Sequence, residues 1–223
     1  MSRKNLTISV MVLVLCLASP QVMGLTQFLD GSTHNINYKI NDDVWVDYQA
    51  PGMQTTINWL NGASTCAAVC HLAGFEDSRI NIFGGSIGYA LSAYDRSQVT
   101  MSGGSISSLV GGLVGAFDSS QVTISGGTLA FLLADDSGQV TIQGSDFAVD
   151  GKYFGYGKLT STLGGPCSDE PYGRHLTGIL PTGDMLDSDF KIGHDARIVL
   201  VPEPATLLLL GLGGLMLLRR PRK

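Results

Sequence analysis

The chain has 223 residues and a formal net charge of −5, which allows one domain of ordinary size. Its basic residues are concentrated at the two ends, so that residues 25–201 contain 8 Lys and Arg against 18 Asp and Glu, a net charge of −10. A central part this acidic argues against nucleic acid as a partner, because the phosphate backbone is itself negative.

The first residues have the pattern of a secretory signal peptide. Arg3 and Lys4 precede an apolar run from Leu6 to Ala18, and small residues follow around Gly24. A basic start, a short apolar centre and a small-residue cleavage site define such a peptide. The sequence therefore predicts that residues 1–24 are removed after export and that the mature protein begins at Leu25.

Residues 25–53 are predicted to form a small β cap at the amino-terminal end of the domain. Asn35–Ile40 and Val44–Tyr48 alternate apolar and polar residues, which is typical of half-buried strands.

Residues 54–150 contain an internal repeat. Four segments of eleven residues align without gaps, and they begin at Phe75, Tyr94, Phe117 and Asp135. A weaker copy begins at Thr56, and the steps from Thr56 to Arg79, Gln98, Gln121 and Gln139 are 23, 19, 23 and 18 residues. Repeats of this length are typical of solenoids, in which each copy buries its apolar face only by stacking on its neighbours.

Each copy alternates Val or Ile with Thr or Asn and is then followed by glycine, as in Val122-Thr123-Ile124 before Gly126-Gly127. Alternation with period two predicts a strand with one buried face, and the glycines supply a turn. The sequence predicts an all-β fold, a short right-handed parallel β-helix (β-solenoid) with small β caps. The alternative is a Greek-key or jelly-roll sandwich, which would need short hairpin turns instead of nearly constant steps.

The repeats align one acidic residue in each copy. We call this set the acidic column, and it consists of Glu76, Asp95, Asp118 and Asp136. Carboxylates stacked about 5 Å apart would repel one another and favour a bound cation such as Ca²⁺. Asp also caps turns through its own backbone, and this interpretation is favoured because the nine-residue Ca²⁺-binding repeat is absent.

Cysteine is present at three places after the predicted signal peptide: Cys66, Cys70 and Cys167. Export permits one disulfide among them, and the sequence leaves the pairing open. Cys66, Cys70 and His71 also resemble a haem c attachment site, but with one residue too many between the cysteines. Gly84-Gly85-Ser86-Ile87-Gly88 matches the nucleophile elbow of hydrolases, although the same column holds Ser105 and Thr128, which favours a turn.

Residues 151–200 are predicted to form a carboxyl-terminal β cap. Leu176–Leu180, Asp189–Ile192 and Ala196–Leu200 are the expected strands of a small closing sheet.

Residues 201–223 combine three features in order. Pro202-Glu203-Pro204 precedes an apolar segment from Ala205 to Leu218, and Arg219, Arg220, Arg222 and Lys223 follow. Fourteen helical residues span about 21 Å, which is short against a hydrocarbon core of roughly 30 Å. The sequence predicts a short apolar helix that enters the membrane at least transiently, with its basic end on the cytoplasmic side.

This tail resembles the PEP-CTERM sorting signal. The resemblance implies that an exosortase, a membrane transpeptidase of Gram-negative bacteria that make exopolysaccharide, recognises Pro202, Glu203 and Pro204. It also implies passage through the inner membrane to the cell surface or extracellular matrix.

We therefore expect a non-enzymatic structural or adhesive protein, with exopolysaccharide as its candidate partner and without a resident cofactor. The alternative function is that of a carbohydrate-active β-helix enzyme, a polysaccharide lyase or hydrolase. A third interpretation is a plain tail-anchored protein of the inner membrane, which differs only in the fate of the tail.

Overall fold

The computed structural model describes residues 24–48, 53–66, 69–106, 112–160, 174–193 and 195–203. All regular structure in these residues is β, which confirms the predicted fold class at that level. The strands in chain order are β1 (Leu25–Phe28), β2 (Thr33–Ile36), β3 (Asp43–Val46), β4 (Thr56–Trp59), β5 (His71–Gly74), β6 (Arg79–Ile82), β7 (Ser86–Ile87), β8 (Ala90–Ala93), β9 (Gln98–Ile106), β10 (Leu113–Ala116), β11 (Gln121–Thr128), β12 (Phe131–Ala134), β13 (Gln139–Val149), β14 (Lys152–Tyr153), β15 (Gly157–Leu159), β16 (Arg174–Ile179), β17 (Met185–Ile192) and β18 (Arg197–Pro202).

Most strands belong to one of two parallel stacks. In the first stack, β1, β3, β5, β8, β10, β12 and β17 pair in that order. In the second stack, β2, β4, β6, β9, β11, β13 and β18 pair in that order. The chain alternates between the stacks, so that one strand of the first stack is followed by one strand of the second. Each strand is hydrogen-bonded to the next strand of its own stack.

The register of the second stack agrees with the alignment of the sequence repeats. Thr56 pairs with Arg79, Arg79 with Gln98, Gln98 with Gln121 and Gln121 with Gln139. Matching residues of successive copies therefore lie side by side, and each column of the alignment is a row on the molecule.

The stacks extend beyond the predicted repeat boundaries at residues 54 and 150. Thr33 pairs in parallel with Thr56, and Leu25 pairs in parallel with Asp43. At the other end β17 and β18 continue the stacks. Segments expected to form separate caps thus contribute strands to the same two stacks.

Antiparallel pairing occurs at the carboxyl-terminal end and makes the sheet mixed. β16 pairs antiparallel with β17 and β13, and β15 pairs antiparallel with β18. β16, β17 and β18 cover the three strands that the sequence predicted between residues 151 and 200, and β17 and β18 also belong to the two stacks.

The core lies between the stacks. Alternate side chains of both stacks are almost fully buried, including Val44, Leu72 and Leu91 of the first and Ile57, Ile80 and Val122 of the second. On the outer side of the second stack, Asn35, Asn58 and Asn81 form a row in which each amide donates to the carbonyl of the preceding asparagine, at 2.8 and 2.9 Å. The polar position of the repeat therefore contributes hydrogen bonds between copies.

Candidate functional site

The acidic column lies in the turns that lead from the first stack to the second. Glu76, Asp95, Asp118 and Asp136 have φ angles of +50°, +56°, +55° and +54°. L-residues rarely adopt this left-handed conformation, and Asp is among the side chains that tolerate it. A backbone requirement therefore accounts for Asp95, Asp118 and Asp136 as turn residues, and Glu76 adopts the same conformation.

The carboxylates of the column also link neighbouring copies. The backbone N–H of Glu76 donates to Asp95 Oδ2 at 3.1 Å, and the N–H of Asp95 donates to Asp118 Oδ2 at 3.2 Å. Among the described residues, no group of three or more His, Cys, Asp or Glu side chains is arranged to hold a metal ion. Oδ2 of Asp95 and Oδ2 of Asp118 thus accept from backbone amides, and a bound Ca²⁺ stays a prediction.

Replacement of Asp95 separates the backbone role from the charge. Asp95→Asn is expected to change the free energy of unfolding by less than about 1 kcal/mol, because Asn tolerates positive φ and keeps an accepting oxygen. Asp95→Val should cost about 1–3 kcal/mol, because a β-branched residue is strained there and the link to Glu76 is lost. Chemical denaturation of both variants checks this, and equal destabilisation by Asn and Val would contradict it.

One cation lies on the same turns. Arg96 forms two hydrogen bonds with the carboxylate of Asp77, at 2.8 and 3.0 Å, and its guanidinium lies 3.5 Å from Glu76. The Arg96 hydrogen bond lowers the pKa of Asp77. Arg96 is thus bound in a surface ion pair, while Arg79 donates to Oε1 of Gln98 at 3.2 Å.

An aromatic row runs beside the acidic column. Phe75 and Tyr94 stack with ring centroids 5.0 Å apart, and Tyr94 and Phe117 stack at 4.8 Å. Tyr48 meets Phe75 edge-on at 4.8 Å, and Trp45 lies 4.6 Å from Tyr48. The sequence reasoning missed this row, although its signal is in the alignment, where the position before the acidic residue is Phe75, Tyr94 and Phe117.

A pocket of about 330 Å³ opens on the outer face of the first stack at the Trp45 end of this row. Its aromatic walls are Trp45, Tyr48, Phe75 and Tyr94, and its remaining lining comprises Asp43, His71, Ala73 and Ser92. Concave sites that combine aromatic side chains with a few polar groups are typical of small-molecule binding.

The remaining sequence candidates lie elsewhere. Cys66 and Cys70 form a disulfide with Cα atoms 5.4 Å apart, whereas Cys167 lies outside the described residues. Ser86 lies in β7 and pairs with Ser105 and Ser64 of neighbouring copies, which places it in a row of strand residues instead of at a strand-to-helix turn.

A group of one histidine and two aspartates, which the sequence did not indicate, lies on β16 and β17. Nδ1 of His175 is 2.9 Å from Asp189 Oδ1, and Nε2 is 2.9 Å from Asp187 Oδ1. The hydrogen bond to Asp189, with the charges of Asp187 and Asp150, raises the pKa of His175. Because the His175 side chain is 45% exposed, this cluster is a surface link across a hairpin.

The tail motif begins at the end of the last strand. In β18, Leu200 is buried and pairs with Ile142, and Pro202 pairs with Gly144 of β13. Glu203 is half-buried, and Pro204 with the predicted apolar helix lies outside the described residues, as do residues 1–23 of the predicted signal peptide. The motif therefore begins within the folded core at Pro202, and Glu203 follows β18 without a linker.

In the part of the chain that the structure describes, no helix is long and apolar enough to cross a bilayer. Neither the curated proteins nor the solved structures include a significant match to the chain. The model of the PEP-CTERM protein-sorting motif matches residues 200–223, which confirms the resemblance seen in the sequence. With Pro202 at the end of the core strand β18 and Glu203 next to it, the chain carries a PEP-CTERM protein-sorting motif, which indicates an exported protein sorted by an exosortase.

Proposed function

We propose that this protein is a non-enzymatic structural or adhesive component of the cell surface or extracellular matrix, which an exosortase-like transpeptidase releases from the inner membrane. The sorting motif indicates export and membrane-associated sorting. The finer role is supported by one observation, the in-register pairing of the repeats in both parallel stacks.

Those stacks support a right-handed parallel β-helix. Parallel strands need long connections, and within the repeats each connection passes through the other stack, so that one circuit of 18 to 23 residues returns to the same row. A fold of this kind presents regular rows of outer side chains, here the acidic column and the aromatic row. Extended repetitive surfaces suit binding to an extended partner.

The position of the motif supports processing close to the folded domain. The strand that leads into Pro202 is paired on one side with β13 and on the other with β15. A cut beside Pro202–Glu203–Pro204 would therefore release a domain that retains all the strands of both stacks.

The test is the mature mass of the protein in cell fractions of a native producer. We expect the wild-type protein in outer fractions, without residues 1–24 and with a new carboxyl end near Pro202–Pro204. A triple alanine variant at Pro202, Glu203 and Pro204 should keep its tail and stay in the inner membrane. Asp195→Asn, which changes an exposed residue before β18, is the control and should be sorted normally.

Retention of Arg219 to Lys223 by the wild-type protein in the inner membrane would make the tail an ordinary anchor, and the surface role would fail. Shortening of polysaccharide chains during incubation with the purified protein would contradict the non-enzymatic role.

A further inference from the structure

The pocket beside Trp45 is built into the register of the first stack. Trp45 pairs with Ala73, and Ala73 pairs with Ser92 of the following strand. These three residues occupy the outward position of successive strands, so a large indole is followed by two small side chains. The small residues leave a floor next to the indole, and the rings of Phe75 and Tyr94 border it on the side of the turns.

Three polar side chains face the pocket. Asp43 Oδ1 accepts the backbone N–H of His71 at 2.8 Å, while no described residue donates a hydrogen bond to its other oxygen, Oδ2. The His71 ring packs edge-on against Tyr89 at 4.8 Å, which fixes its position. Ser92 contributes a hydroxyl that makes no hydrogen bond to a described residue. The site therefore offers an acceptor and a hydroxyl next to an aromatic wall.

This combination matches the two faces of a sugar ring. A pyranose has an apolar C–H face, which packs against aromatic rings, and an edge of hydroxyl groups, which needs donors and acceptors. Trp and Tyr provide an apolar body together with a polar end, and a carboxylate oxygen accepts from hydroxyls. An extended peptide fits less well, because β3, β5 and β8 are already paired on both sides and have no open edge for it.

The charge around the pocket selects among sugars. Glu76 and Asp95 directly follow the lining residues Phe75 and Tyr94, and Asp43 lies in the pocket itself. The nearby cation Arg96 is bound to Asp77. An anionic sugar such as a uronic acid would meet mainly like charges, which lowers its affinity.

We propose that this pocket binds one unit of an uncharged polysaccharide, with the sugar ring packed against Trp45 and its hydroxyls bonded to Asp43 and Ser92. The proposal deepens the proposed function, on which it rests, by naming uncharged glycan as the matrix partner. Neighbouring units of the chain would extend over the outer face of the first stack.

The test uses the full chain purified in detergent, with cellohexaose and mannohexaose as uncharged probes and alginate hexamer as the anionic probe, in isothermal titration calorimetry. We expect at least one uncharged probe to bind and the alginate hexamer to bind at least about tenfold more weakly. Trp45→Ala should lower the affinity for the uncharged probe by at least about tenfold, because aromatic anchors in pockets dominate binding. Phe83→Ala is the matched control, because Phe83 is an exposed aromatic residue that does not line the pocket.

A second variant tests the pocket without removal of Trp45, so that a loss of binding cannot be ascribed to unfolding of Trp45→Ala alone. Ala73→Leu adds volume on the floor of the pocket while Trp45 stays in place, and it should also weaken binding. Thermal melts verify that each variant is folded. Absence of binding by both uncharged probes, equal binding of alginate, or unchanged binding by folded Trp45→Ala and Ala73→Leu variants would each overturn the proposal. Binding is measured on purified protein, so the calorimetric result does not depend on whether the protein is sorted correctly in cells.

Discussion

Removal of β18 is expected to prevent folding, whereas removal of the sorting tail is expected to leave stability unchanged. A chain that ends at Glu203 should melt at the same temperature as a chain that ends at Lys223, and a chain that ends at Ala196 should show no cooperative transition. β18 lies between β13 and β15, and Ile198 and Leu200 are at most 1% exposed. Full burial of one such side chain contributes about 1.5–3 kcal/mol, and whole domains are stable by only about 5–15 kcal/mol.

Circular dichroism melts of these three chains, which share the same first residue, provide the measurement. The chain that ends at Glu203 is the control for loss of the tail alone. A cooperative transition of the Ala196 chain near that of the longer chains would show that β18 is dispensable. The expected result would mean that cleavage near Pro202 is compatible with a fully folded product, whereas cleavage a few residues earlier is not.

Trp59→Ala is expected to lower the free energy of unfolding by about 3–5 kcal/mol, as for large aromatic residues replaced in other cores. Trp59 is fully buried and lies in register between Ile36 and Ile82 of the neighbouring strands. Its loss would leave a cavity along the axis of the stack, where parallel rows allow little collapse. Urea unfolding followed by circular dichroism measures the change.

Two further variants test whether the destabilisation by Trp59→Ala comes from lost packing of the ring. The buried indole Nε1 of Trp59 has no hydrogen-bond partner among the described residues. Trp59→Phe removes this donor while it keeps most of the ring, and it should therefore cost clearly less than Trp59→Ala. Phe83→Ala, at a side chain that is 53% exposed, should stay within about 0.5 kcal/mol of the wild type. If Trp59→Ala and Phe83→Ala cost the same, packing at this position contributes little.

The two kinds of site differ in how they arise from the sequence. The sorting motif is read as a linear segment, and Pro202, Glu203 and Pro204 are adjacent residues that need no fold to be brought together. The pocket, by contrast, draws Asp43 and Trp45, then His71 and Ala73, and finally Ser92 from three separate strands. A pocket of this kind exists only after the strands have stacked in register.

The sequence by itself determined the β class, the register of the repeats and the sorting tail. Alternation with period two reflects one buried and one exposed face of each strand, and near-constant steps place Thr56, Arg79, Gln98, Gln121 and Gln139 in one row. It also identified the acidic column, although it could not decide between a cation ladder and a turn position. The φ angles of these residues and the amide partners of Asp95 and Asp118 show the turn position, whereas a bound cation stays a prediction.

Only the tertiary structure decided where the stacks end and what lies on their outer face. The glycine-rich signature of the repeats is missing from β1, β2, β17 and β18. These strands still pair in the stacks, because backbone hydrogen bonds need no particular side chain. The pocket likewise depends on a large residue in one strand facing small residues in the next two. Which side chains of neighbouring strands lie side by side is set by the lateral register of the stack, and the sequence of a single repeat does not specify that register.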